Sequence, residues 1–391
     1  MENIKSENLL LENKNIVVAL SGGMDSVVLL HYLKTNFNLN LRAVHCNHHL
    51  SGYCDDWDKF CSNLCESLNV EYSSIDIFLE NMTNLEEIAR KKRYHSLSSV
   101  LKKDEILCTA HHMDDQSETI LLQLLRGSGV AGLSSMPKER PLGKGLHFRP
   151  FLNLTKSQVI EYAAKHKLQW IEDDSNVNID FRRNFLRLEI IPKLSSVYKS
   201  VASSLSRSAR HQSKALKLIR DLALIDINEK NLVDIHNCID IKRLSEFDEY
   251  RIINIIRYHI NSLNFLSPSE KVMEQITRLL VAKEDANPLT CWGSFEIRRY
   301  QDKLYFIDNN LDKKDSTCPF YEKLKLLPNF SIRYRADGQR VKLSSKSHSQ
   351  SLKKVLQEAY IPPWERNKLR MYYVDDQLRA MERIGEMSES N

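Results

Sequence analysis

The chain has 391 residues, 42% hydrophobic and 27% charged, enough for ordinary cores in two or three domains. Its net charge of +5 is modest, and its eight cysteines include no C-x-x-C pair, which disfavours a disulfide framework, structural zinc or an iron–sulfur cluster and predicts reduced thiols in a cytoplasmic protein. The N-terminus lacks an apolar core of signal-peptide length, and no stretch approaches the roughly 20 apolar residues of a membrane span.

The first strong signal is Ile16-Val17-Val18-Ala19-Leu20, a continuous β-branched run of the kind that forms a buried parallel strand. Ser21-Gly22-Gly23-Met24-Asp25-Ser26 follows at once and leads into a helix over 26–33 with Leu29, Leu30 and Leu33 on one face. Glycines in such a turn let backbone approach a ligand, and the free N–H groups of the helix start favour an anion. Ser21 and Ser26 add hydroxyl donors. Asp25 is out of place at a bare anion site but fits where a metal ion bridges carboxylate and phosphate.

Further strands are expected at 41–47, 72–78 and 106–110, and further helices at 56–68, 85–101, 116–125 and 156–165. This alternation predicts an α/β domain with a parallel sheet covered on both faces, over residues 1–194. Ligands in that architecture bind at the carboxyl ends of the strands. The motifs fall there: the Ser21 loop, His45-Cys46-Asn47-His48-His49 and His111-His112-Met113-Asp114-Asp115.

Two patterns are decoys. Gly127-Ser128-Gly129-Val130-Ala131-Gly132 matches G-x-G-x-x-G but follows a predicted helix, and Leu133 stands where a Walker A lysine would be. The histidine clusters lack the spacing of a transition-metal site and read as hydrogen-bonding histidines.

A mainly helical middle part is expected over 195–320, ending in a hairpin of 290–299 with 303–307 turned at Gln301-Asp302. Residues 201–220 carry five basic side chains and no acid, with Arg207, Arg210, Lys214 and Lys217 at helical spacing and Leu205, Ala209, Leu216 and Ile219 on the other face. A small α+β module is expected over 321–391; its segment 331–370 holds ten Lys or Arg against three acids, with Tyr334, Tyr360 and Trp364 among them. Each zone alone reads as a solvated face; two separated zones favour a long polyanion.

The Ser21–Ser26 loop resembles the pyrophosphatase (PP) loop of the N-type ATP pyrophosphatases, and the ordered motifs narrow the likeness to the tRNA(Ile)-lysidine synthetase family. They are His45-Cys46-Asn47-His48-His49-Leu50-Ser51, Ala89-Arg90-Lys91-Lys92-Arg93-Tyr94, Ala110-His111-His112-Met113-Asp114-Asp115-Gln116-Ser117-Glu118-Thr119, and Arg126 to Leu133. Arg149-Pro150-Phe151-Leu152, Glu172-Asp173-Asp174-Ser175-Asn176 and Arg183-Asn184-Phe185-Leu186-Arg187 continue the series. It reaches Phe295 to Tyr300, Leu352 to Glu358 and Ile361-Pro362-Pro363-Trp364, so it spans nearly the whole chain, although the last domain is shorter than in longer members.

The resemblance implies a fold like the adenine nucleotide alpha hydrolases and an ATP- and Mg²⁺-dependent ligase that joins free L-lysine to the 2-carbon of the wobble cytidine of a CAU-anticodon tRNA(Ile), through an adenylated cytidine, with release of pyrophosphate and then AMP. It implies nucleotide binding by Ser21, Gly22, Gly23, Met24, Asp25, Ser26 and His45, catalysis by Asp25, Asp115, Glu118 and Arg93, and metal binding by Asp25 and Asp115. Substrate contacts are expected from Arg183, Asn184, Arg187, Arg207, Arg210, Lys214, Lys353, Lys354 and Arg366, with no membrane partner and room for a homodimer. Asp115 and Glu118, three apart, can face one side of a starting helix. They could hold Mg²⁺ or the lysine ammonium, or simply begin the helix as capping acids.

Overall fold

The computed structural model describes residues 8, 11–49, 54–78, 85–172, 178–282, 288–310, 319–336, 338–344 and 348–387. Leu50 and Ser51 of the second motif and Asp173–Asn176 lie outside them. The chain divides into two compact units, 1–219 and 220–391.

In the first unit six strands form one sheet in the order β3-β2-β1-β4-β6-β5. They are β1 (Asn15–Ala19), β2 (Asn40–Asn47), β3 (Glu71–Asp76), β4 (Glu105–Cys108), β5 (Glu139–Leu142) and β6 (Gly145–Phe148). All pairs are parallel except β5 with β6. The helices are α1 (Met24–Asn36), α2 (Cys54–Ser67), α3 (Leu85–Val100), α4 (Met113–Leu125), α5 (Val130–Leu133) and α6 (Lys156–Lys165). After them come α7 (Arg182–Phe185), a π-helical turn (Leu186–Ile190), α8 (Ile191–Val197) and the long α9 (Val201–Lys230).

The apolar run at 16–18 is buried because β1 is central. Ile16 and Val18 enter a core with Val27, Leu30, Cys61 and Val159 from α1, α2 and α6, while Val17 enters a second with Leu97 and Leu101 from and just after α3. Helices therefore cover both faces, which is why the strand reads as a continuous rather than an alternating apolar run. Chain order reverses between β1 and β4, so the crevice beyond their carboxyl ends is the switch point where α/β sheets bind ligands.

Each expected strand and helix of this unit is present, with bounds shifted by at most three residues. The β5–β6 hairpin was not foreseen. Pro141 weakens the strand pattern of β5, yet an edge strand tolerates proline because one side of its backbone needs no partner.

In the second unit β7 (Ile239–Asp240), β8 (Leu289–Trp292), β9 (Phe295–Tyr300) and β10 (Lys303–Asp308) form a sheet in the order β7-β10-β9-β8. Against it pack α10 (Ile241–Leu244), α11 (Glu249–Ser262) and α12 (Glu270–Leu279), through Ile255, Ile256, Met273, Ile276, Ile297 and Leu304. The strand expected at 290–299 is two strands, because Gly293 adopts φ +58° and turns the chain. The hairpin at Gln301-Asp302 forms as expected.

The rest comprises α13 (Pro319–Leu324), β11 (Phe330–Arg333), β12 (Arg340–Val341), β13 (Gln350–Ser351), α14 (Leu352–Glu358), α15 (Pro363–Arg366), β14 (Met371–Val374), β15 (Gln377–Met381) and β16 (Gly385–Glu386). Leu352, Val355 and Leu356 of α14 cover one side of the β11-β14-β15-β16 sheet, and Phe320 and Tyr321 pack by Tyr372 on the other. Among the described residues no helix is long and apolar enough to cross a membrane.

Gly145 at the start of β6 offers a direct test of sheet packing, since a Cβ there would overlap the Glu105 carbonyl oxygen of β4. Gly145→Ala is expected to lower unfolding stability in urea by about 1–3 kcal/mol; wild-type stability would contradict the β4–β6 pairing.

Candidate active site

The phosphate loop is shaped by local hydrogen bonds. Gly22 adopts φ +82°, and a Cβ there would press on Cys61 Sγ at 3.2 Å, so both conformation and space call for glycine. The Ser26 hydroxyl donates to Gly23 O at 2.9 Å and accepts from Ser21 N–H at 3.1 Å, while Ser21 Oγ lies 3.1 Å from Ser26 Oγ. No side chain caps α1 at Gly23, which leaves the helix start to an external anion. Met24 packs on the core below. His45 is buried, and its Nδ1–H donates to Leu20 O at 2.8 Å, so Nε2 is the acceptor.

Across the switch point, the loop after β4 brings His112 against three carboxylates. Its Nε2 lies 3.7 Å from Asp25 Oδ2 and 3.5 Å from Asp115 Oδ2, and its Nδ1 lies 3.6 Å from Asp114 Oδ2. Burial alone would lower its pKa, but the surrounding acids prevail and raise it to about 10, so the ring is a cation in this arrangement. The spacing of the histidine cluster alone marks His112 only as a hydrogen-bonding histidine. The available signal was topological: the β1 and β4 loops must be neighbours at the switch point.

Asp115 and Glu118 share one face of α4, as their spacing predicts. Asp115 Oδ2 accepts the His112 N–H at 2.9 Å, making the capping box at the helix start, and its Oδ1 lies 3.1 Å from Arg183 and 3.4 Å from Arg187. Glu118, with a side chain only 1% exposed, takes Arg183 Nε on one oxygen and Arg187 Nε on the other, each at 2.6 Å. The capping role and the charged role thus coexist. Burial would raise the Asp115 pKa, but His112 and Arg183 hold it well below the usual carboxylate range.

Asp115 has both oxygens engaged by protein donors. Asp25 fits a metal ligand, because its Oδ1 is buried without a hydrogen-bond partner. Arg183 and Arg187 pair with two acids, and the neighbouring Asn184 is buried, with its Nδ2 donating to Asn178 O at 2.8 Å. Arg366 is 8% exposed and donates to Ile361 O and the Tyr300 hydroxyl at 2.9 and 3.0 Å, so it braces the second unit instead of facing solvent.

Arg93 is half-buried on α3, 5.8 Å from the Tyr94 ring centre. Arg207, Arg210 and Lys214 are exposed along α9 with Ala209 fully buried, though Ile219, expected on the packed face, is 37% exposed. Lys353 and Lys354 are exposed on α14. Beside the phosphate loop, an open groove of about 420 Å³ is lined by Phe60, Leu168, Gln169, Trp170 and Glu172. The adjoining Ile171 N–H ties it to Gly22 O at 3.0 Å.

Asp115, a group with a depressed folded pKa, contributes stability above its unfolded pKa of about 3.9 and loses it as pH falls through the folded value. Asp115→Asn is therefore expected to show its largest stability deficit near neutral pH, closing progressively as pH falls below about 4. A deficit independent of pH, measured by denaturant unfolding, would show that the carboxylate charge contributes nothing.

The PP-loop domain model matches residues 2–194, the TilS substrate binding domain matches 239–305, and the TilS substrate C-terminal domain matches 330–389. The chain is 35% identical to the tRNA(Ile)-lysidine synthase of Coxiella burnetii over 97% of this chain and 90% of the relative. It is 34% identical to those of Legionella pneumophila strain Paris and Serratia proteamaculans, in each case over 94% of this chain and 90% of the relative. With a PP loop and its facing acids at the switch point, and such relatives along nearly its full length, the chain belongs to the tRNA(Ile)-lysidine synthase family.

Proposed function

We propose that the protein ligates free L-lysine to the 2-carbon of the wobble cytidine in a CAU-anticodon tRNA(Ile), converting ATP to AMP and pyrophosphate. The observation that carries this reading is the meeting of the phosphate loop, Asp25 and the His112–Asp115 segment at one crevice, in a chain that belongs to this family. The attacking nucleophile comes with the substrate, so the protein needs no activated serine or cysteine. It must position two substrates and stabilise phosphate charge.

The uncapped start of α1 and the hydroxyls of Ser21 and Ser26 suit the pyrophosphate end of ATP. The Trp170 groove beside Gly22 suits a planar base. Asp25 would hold Mg²⁺ through its unpartnered Oδ1 together with phosphate oxygens, a coordination that needs only one or two protein carboxylates; the ion would neutralise charge developing on the leaving pyrophosphate. Cationic His112 holds Asp25 from behind.

Lysine must attack as a neutral amine although its side-chain pKa is about 10.4 in water. Desolvation in a closed crevice lowers an amine's pKa, which favours the neutral form that attacks. Asp115 and Glu118 are both held by Arg183 and Arg187, so their role is positioning. The exposed bases of α9 and α14 supply phosphate contacts for the tRNA.

Asp25→Asn in a well-folded chain is expected to abolish tRNA-dependent formation of AMP and pyrophosphate; near-normal AMP release would sink the assignment of the loop. Reversing Arg207, Arg210 and Lys214 to Glu is expected to weaken tRNA binding and flatten the log-affinity against log-salt slope by about 0.7 to 0.9 for each phosphate no longer neutralised. An unchanged slope would remove α9 from the tRNA surface.

A further inference from the structure

Beside the neutralised acids lies a second cationic group that no described carboxylate balances. Arg90 and Tyr94 come from α3, Arg140 from β5, His147 from β6, and Arg149 immediately follows β6. The Arg90, Arg93 and Arg140 guanidiniums lie 5.1, 5.8 and 5.2 Å from the centre of the one Tyr94 ring. Charges acting on Arg149 come from Tyr94, Arg140 and Arg90, and those acting on Arg90 come from Tyr94 and three other arginines. Burial and this crowding lower the Arg149 pKa to about 10, the mark of a cation short of counter-charge.

The floor of this group is fixed by its hydrogen bonds. Arg149 Nη1 donates to Pro137 O at 2.6 Å. Arg149 Nη2 and Arg140 Nε both approach His147 Nδ1, at 3.3 and 3.4 Å. Guanidinium can only donate, so Nδ1 is the acceptor and Nε2 carries the proton. That proton goes to Thr109 Oγ1 at 2.9 Å, and the Thr109 hydroxyl donates to His111 Nδ1 at 2.7 Å. This series of bonds orients its members, yet two buried polar atoms remain outside it. Arg149 Nε and the Tyr94 hydroxyl lie without a hydrogen bond of good geometry, although Arg149 is only 2% exposed and the Tyr94 side chain interacts with its guanidinium. Leaving such groups unpaired is costly, and a donor-rich, acid-free cluster is what an oxyanion requires. Arg140 is exposed and Arg90 half-buried, so the cluster opens to solvent on that side. It stands at the carboxyl ends of β4 and β6, one and two strands from β1 and its phosphate loop.

We propose that Arg90, Arg140, Arg149 and the Tyr94 hydroxyl form a receptor for a substrate oxyanion, a carboxylate or a phosphate, beside the ATP site. The occupant follows from the ligase reading, on which this step rests: free lysine carries a carboxylate, and the nucleotide around the wobble position carries phosphates. The carboxylate is favoured, because a forked guanidinium matches it edge to edge and because the amine at the far end of lysine is then free to reach the crevice.

The test uses the full chain with ATP and tRNA(Ile), comparing L-lysine with 1,5-diaminopentane, which is lysine without its carboxylate. Lysidine or its diamine analogue is read as product, and lysine, diamine and inorganic phosphate binding is read by calorimetry. Arg140→Gln and the gentler Tyr94→Phe are expected to cut the preference for lysine over the diamine by about ten- to a hundredfold, through KM, and to weaken lysine binding in step. Intact lysine preference with weakened phosphate and tRNA binding would support the receptor but assign it to a nucleotide phosphate. Variants that match the wild type in amine preference, tRNA affinity and phosphate binding would overturn the receptor while the ligase reading stands. Lysine or phosphate binding that depends on Arg140 in a wild-type chain making no lysidine would uphold the receptor and remove the ligase reading.

Discussion

Two buried carboxylates and two guanidiniums hold the catalytic edge together. Asp115 and Glu118 lie on α4, whereas Arg183 and Arg187 follow 65 to 72 residues later on α7 and the π-helical turn. Removing one partner of such a set strands a charge away from water, at a cost of about 3–5 kcal/mol. Because Asp115 also caps α4 through the His112 N–H, the same contacts set the position of His112 and, through it, of Asp25. A helix start, a histidine and a phosphate-loop acid are thus fixed by one electrostatic arrangement.

Charge in this domain therefore falls into three populations. Arg183 and Arg187 are matched by acids. Arg207, Arg210 and Lys214 are exposed on α9, where water screens them and a polyanion can reach them. Arg90, Arg140 and Arg149 are without balancing acids among the described residues, and burial weighs on Arg90 and Arg149. A net charge of +5 conceals this division, which underlies the proposals made for each group: structure for the first, tRNA attraction for the second and oxyanion recognition for the third.

Much of this was legible in the sequence because it is local. The run at Ile16–Leu20 followed by Ser21–Ser26 carries its strand, turn and helix in consecutive residues, and α6 at Lys156–Lys165 appears with the expected bounds because Thr155 and Gln158 form a capping box. What stayed hidden depends on sheet order. Arg140 and Arg149 meet α3 only through the placement of β5 and β6, and the acid partners of Arg183 show only once α4 is placed beside it. The burial of Arg366 is hidden for a related reason: a basic stretch says nothing about which member the Tyr300 hydroxyl and the Ile361 carbonyl will bind.

The central claim is that this crevice joins lysine to a wobble cytidine. It is tested most directly by incubating the wild-type chain with ATP, isotopically labelled L-lysine and a CAU-anticodon tRNA(Ile) transcript, then measuring the mass of the wobble nucleoside. The account predicts a cytidine heavier by one labelled lysine less water, formed only when ATP is present. An unmodified wobble cytidine despite AMP release, or label at any other nucleoside, would contradict it.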